Sequence, residues 1–148
     1  MERILATLEQ TLLSAWMRED SYAYFIALIF HAFGMALLVG GGILICLRVL
    51  AGSSNTALEK FRGFLPVMWL GAALAIVSGV LLLLAYPAKA LTNPVFAIKL
   101  ACLIAAAVLL PQVLRGNRAI AATALALWLA GVAAGKLLLH TYTVLMVS

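Results

Sequence analysis

Charge is what this sequence has least of. Asp, Glu, Lys and Arg make up 10% of its 148 residues, against about 25% in a soluble domain, while 66% are hydrophobic. The five carboxylates, Glu2, Glu9, Glu19, Asp20 and Glu59, all fall outside the long apolar runs. That placement excludes a paired-carboxylate hydrolase inside the membrane and a carboxylate proton relay. There is no glycine-rich nucleotide loop and no nucleophile–base–acid set. Cysteine is scarce too: Cys46 and Cys102 lie on different apolar runs at different depths, which argues against a disulfide between them. The net charge of +5 is scattered over run ends and connections, so it does not read as a nucleic-acid surface.

What remains is apolar sequence of membrane-crossing length. The expectation is an all-α membrane protein: a four-transmembrane-helix bundle, one domain over residues 1–148, preceded by an N-terminal amphipathic interfacial helix. Residues 1–20 are too polar to span. Ile4, Leu5, Leu8, Leu12 and Trp16 form one stripe that would lie in the headgroup region. Acidic residues interrupt this segment, so it does not read as a cleavable secretory signal. Ser21 is the expected N-cap of the first span, residues 22–48, which Gly52-Ser53-Ser54-Asn55 terminates. The second span is expected at 64–86, with Pro66 in its first turn and Pro87 stopping it. Asn93-Pro94 is an N-cap and first-turn proline opening the third span, 94–114, in which Pro111 predicts a kink. The fourth run, 119–146, is longer than a crossing needs and so must tilt or protrude.

Loop charge sets the orientation. Arg48, Lys60, Arg62, Arg115 and Arg118 flank the 1–2 and 3–4 connections, whereas the other side mixes Arg3, Arg18 and Lys89 with acids. Positive-inside counting places both termini outside.

The residues that carry chemistry lie within the spans. His31 sits among small residues, and Ala27, His31, Gly34, Leu38 and Gly41 share one helical face. Along its helix His31 is ~25 Å from Arg48, Lys99 is ~24 Å from Arg115, Lys136 is ~27 Å from Arg118 and His140 is ~33 Å from Arg118. Two histidines and two lysines from three spans thus converge in the outer half of the membrane, with no internal carboxylate to pair the lysines. Haem b would satisfy the set, with iron for His31 and His140 and propionates for Lys99 and Lys136; Gly34 would let the macrocycle approach. Plainer readings stand beside it. A membrane histidine can bond a neighbouring backbone carbonyl, lysines can snorkel to headgroups, and glycines can serve helix packing. His31 with Met35 and Met68 is a weaker copper set, and zinc lacks ligands.

FHAFGMALLVGGGILICLRVL and GAALAIVSGVLLLLAYPAKALTNPVFAIKL (residues 30–50 and 71–100) resemble a family of small four-span bacterial membrane proteins. More distantly, the order of features is similar to HemJ-type protoporphyrinogen oxidases and CopD-type copper-resistance domains. The HemJ resemblance implies haem b binding and a functional pair at His31 and Lys99. The chain departs from that pattern after Lys99, where Cys102 and apolar residues stand in place of a further histidine. The expected function is a b-type cytochrome passing electrons between quinol in the lipid bilayer and an outer-side redox protein, alone or as a subunit of a larger complex. A porphyrinogen oxidase, a copper-handling protein and a cofactor-free assembly subunit are the alternatives.

Overall fold

The computed structural model describes residues 10–52, 61–87 and 91–145, and the side chains of this last segment through 138. Five helices are named here in chain order: α1 (Leu12–Glu19), α2 (Ser21–Leu50), α3 (Leu65–Ala85), α4 (Pro94–Val113) and α5 (Arg118–Leu145). No strand occurs among the described residues. The fold class is all-α, and α2 to α5 are the four helices long and apolar enough to cross a membrane.

The helix ends follow local chemistry. Thr11 caps α1 by accepting from the Ser14 amide at 3.3 Å. The cap expected at Ser21 is supplied by Asp20, whose Oδ1 accepts from the amides of Tyr22 (2.9 Å) and Ala23 (3.4 Å), so Ser21 is the first helical residue. A carboxylate also complements the positive end of the helix dipole, which a serine hydroxyl does less well. Gly52 (φ 77°) and Gly116 (φ 83°) carry the chain out of α2 and past α4 in the left-handed conformation that costs glycine little. Asn93 accepts from the Val95 amide at 2.9 Å with Pro94 in the first turn of α4, as the Asn-Pro pair predicts. Asn117 starts α5 in the same way, through the Ile120 amide at 3.2 Å. The 28 residues of α5 reach about 42 Å, beyond a hydrocarbon core of about 30 Å. The expected helix over residues 1–20 is observed from Leu12 onward; residues 1–9 and the polar segment 53–60 lie outside the described residues.

The chain divides into two compact units, and α2 contributes to both. The first unit comprises Met1–Leu38 and Val67–Thr92. Here Met17 of α1 is buried with Ala27 and Ala85, packed by Tyr24, Leu81, Leu82 and Tyr86. Arg18 Nη1 donates to the Ala85 carbonyl at 3.4 Å, a cation at the negative end of α3. Leu12 and Trp16 on α1 are exposed, as an interfacial helix requires. Further along, α2 and α3 meet backbone to backbone. A Cβ on Gly34 would stand 2.5 Å from the Ala75 nitrogen and 2.7 Å from the Gly71 oxygen; one on Gly71 would stand 3.0 Å from the Leu38 nitrogen. As far as Leu38, the small-residue face inferred for the first span is therefore the face that α3 covers.

The second unit comprises Val39–Pro66 and Asn93–Ser148. Its buried side chains include Ile45, Cys46, Val113 and Trp128. Gly42 leaves the space that the Trp128 indole fills, and Gly131 does the same for Leu103. Trp128 is thus a core residue. Arg118 Nη2 donates to the Leu50 carbonyl at 2.7 Å, closing the end of α2 as Arg18 closes α3. Both cysteines are unbonded to one another.

Candidate functional site: a histidine seated on the second span

Ser78 is the one hydroxyl-bearing residue in the 21 residues of α3, and it is 3% exposed. A hydroxyl in a helix interior bonds back to a carbonyl one turn earlier. Ser78 Oγ does so, donating to the Leu74 carbonyl at 2.5 Å. Its lone pairs then face the first span, where His31 lies.

His31 Nδ1 is 3.0 Å from the Ala75 carbonyl oxygen and 3.3 Å from Ser78 Oγ. These contacts assign the ring's protons. A carbonyl oxygen only accepts, so a lone pair on Nδ1 facing it at 3.0 Å would be repulsive. Nδ1 therefore carries hydrogen and donates to Ala75, and the neutral ring has its lone pair on Nε2. Gly79 completes the seat: a Cβ there would come within 3.1 Å of His31 Cε1 and 3.3 Å of Nδ1. Three positions within one turn of α3 thus receive one imidazole.

The seat is deep. Ala75 is ten residues from Leu65 and ten from Ala85, about 15 Å from either end of α3. The expectation of an outer-half position came from counting along α2 alone. At 30 residues, about 45 Å, α2 overhangs a bilayer core, and the overhang biases that count. On α3, His31 meets the middle of the helix.

The remaining expected site residues are distributed as follows. Gly34, expected to open a face to a macrocycle, has the space of its missing side chain filled by the α3 backbone. Lys99 lies in the second unit, five residues into α4, partly buried, with its stem and ammonium along α5. Its Cε, Cδ and Nζ lie 3.5, 3.7 and 3.7 Å from where a Gly135 Cβ would sit. Lys136 is exposed on α5. His140 belongs to α5, and its side chain falls outside the described residues. His31 is in the first unit, so the structure joins it to Ser78 and Gly79, and joins Lys99 to Gly135. Of the copper set, Met68 is 1% exposed on α3 and Met35 is half-buried on α2. Among the described residues, no three of His, Cys, Asp and Glu gather as a metal cage.

No family model, curated protein or solved structure matches this chain. Ser78 and Gly79 are what the sequence reading passed over. The signal was there in the lone hydroxyl of an otherwise apolar span, nine residues before the proline that ends it.

The hydrogen bond at His31 is of a kind found both between packed membrane helices and behind metal-bound imidazoles. A metal-ligating imidazole characteristically donates its other ring nitrogen to a carbonyl or carboxylate, which fixes the tautomer and raises the basicity of the ligating nitrogen. Nδ1–H on the Ala75 carbonyl has that form.

Proposed function

We propose that this chain is a haem b-binding membrane protein in which His31 is an axial ligand through Nε2. Its role is electron transfer between quinol in the membrane and a redox partner on the outer side, alone or within a larger complex. The observation that carries this reading is the hydrogen bond from His31 Nδ1 to the mid-span Ala75 carbonyl, supported by Ser78. Iron held there would supply the one-electron chemistry that the protein's own side chains lack. The work of the chain is to hold the imidazole in one tautomer, keep its ring from rotating and surround it with apolar side chains that exclude water.

One other reading has an observation in its favour. The same hydrogen bond is an interhelical contact, and such contacts hold membrane helices together without any cofactor. Absorption of the purified protein separates the two. The haem reading expects a Soret band and reduced-state bands that disappear in His31→Ala while the protein still inserts. A colourless protein after expression with haem supplied would refute it and leave the contact as helix packing. Porphyrinogen turnover by the haem-loaded protein distinguishes an oxidase from an electron carrier.

A further inference from the structure

We infer that Ser78 is a positioning residue for His31, and that with Gly79 it forms a seat that holds the imidazole as the Nδ1–H tautomer. The inference extends the haem reading above, but its central observable belongs to the cofactor-free protein.

The Ser78 hydroxyl hydrogen has two carbonyls within reach on its own helix, Leu74 at 2.5 Å and Ala75 at 3.4 Å. The nearer one takes it. With its hydrogen turned away along α3, Oγ presents acceptor lone pairs toward His31 Nδ1 at 3.3 Å. Nδ1–H then meets two acceptors at once, Ala75 O and Ser78 Oγ. Neither acceptor tolerates the alternative tautomer: the carbonyl has no hydrogen to give, and that of Ser78 is engaged by Leu74. The carbonyl alone would define a direction. Two acceptors from residues three apart, on one face of α3, define a plane, and so restrict rotation of the ring about its Cβ–Cγ bond.

Gly79 contributes space on the adjoining side. The ring edge at Cε1 and Nδ1 lies 3.1 and 3.3 Å from a Gly79 Cβ position, so any side chain there would press on the ring. Ser78 is 3% exposed and far from either end of α3, where a polar group without a task is disfavoured. Its bond to Leu74 satisfies the donor; the imidazole satisfies the acceptor.

The test uses the full chain in lipid bilayers, with histidine labelled by 15N and 13C. Replacing His140 by Gln leaves His31 as the one histidine signal. Solid-state spectra at mildly alkaline pH distinguish the two neutral tautomers and the imidazolium through the ring 15N shifts. The expected spectrum is a single Nδ1–H tautomer. An Nε2–H tautomer or an imidazolium would overturn the assignment. In Ser78→Ala the Ala75 carbonyl is retained, so the ring is expected to gain rotational freedom and a mixed tautomer population, and Ser78→Thr, which restores the hydroxyl, to recover the single form. Haem retention should fall roughly 10-fold in Ser78→Ala, at the lower end of what loss of such a partner costs. Gly79→Ala tests the same seat through crowding, without touching a hydrogen-bonding group, and should broaden the same signals. An unchanged single tautomer in both Ser78→Ala and Gly79→Ala would show that the seat does not position the ring. Because the spectra are recorded without haem, a colourless protein with the expected tautomer refutes the haem reading alone, whereas a coloured protein with the wrong tautomer refutes this one.

Discussion

Adding one methyl group at Gly34 tests the contact that sets the histidine in place. The Cβ of Gly34→Ala would lie 2.5 Å from the Ala75 nitrogen and 2.7 Å from the Gly71 oxygen, both backbone atoms that no rotamer change can move aside. Relief to an ordinary 3.4 Å contact requires α2 and α3 to separate locally by about 0.9 Å, the difference between 3.4 and 2.5 Å. If the ring does not follow, the 3.0 Å bond from His31 Nδ1 to the Ala75 carbonyl lengthens toward about 3.9 Å, past the range of a hydrogen bond. Overpacking costs about 1–3 kcal/mol, and an interhelical bond in a membrane is worth about 0.6 kcal/mol. Alanine offsets up to about 1 kcal/mol of this through helix propensity. Gly40 supplies the control: it is exposed on the same helix, and a Cβ there meets nothing within 4 Å. Gly40→Ala should be neutral or stabilising. The propensity gain cancels between the two variants, so Gly34→Ala should be less stable than Gly40→Ala by roughly 1.5–3.5 kcal/mol. Reversible unfolding in mixed micelles, titrated with a denaturing detergent, measures that difference. Equal stabilities would refute the close approach of α2 and α3, and with it the seat for His31.

In the second unit, Gly42→Ala would place a Cβ 2.5 Å from Nε1 and 2.7 Å from Cζ2 of the wholly buried Trp128. A loss of about 1–3 kcal/mol and a red shift of Trp128 emission, in a background with Trp16 and Trp69 replaced by Phe, are expected; unchanged stability and emission would contradict the packing. On the haem reading, Lys99→Met and Lys136→Met remove positive charge from the spanning helices, which favours the oxidised iron and should lower the midpoint potential. A change of ~1 kcal/mol is roughly 40 mV in a one-electron couple, and wild-type potentials in both variants would make the lysines headgroup anchors. Topology is checked by reporter fusions, expected outside at the C-terminus and inside within residues 55–60; the opposite result would reverse the charge-based orientation.

Much of the helix layout was legible because the signals are local. The Asn93-Pro94 start, the Gly52 and Gly116 terminations and the second and third spans depend on residues within a turn of one another, and the observed bounds agree to within a residue or two. Asp20 in place of Ser21 as the cap is a one-residue shift between two competent capping groups, decided by the direction in which the chain leaves α1. The depth estimate for His31 had less to go on. It relied on one helix as a ruler, and a helix longer than the bilayer carries no mark of where the hydrocarbon begins. Gly34 and Ser78 show why a site is harder to read than a span. A glycine on a histidine's face is compatible with a ligand or with a second helix, and a serine's partner is set by which helix arrives opposite it.

The sequence alone determined that this chain enters a membrane and crosses it as helices, because scarce charge and long apolar runs leave no other way to satisfy the backbone. It also determined which face of the first span is lined with small residues. Only the tertiary structure decided what fills that face. Gly34 and Gly71 let α3 come close enough for the Ala75 carbonyl and Ser78 hydroxyl to reach His31, a contact separated by 44 residues in the chain. No periodicity records such a pairing, since it depends on the register of one helix against another.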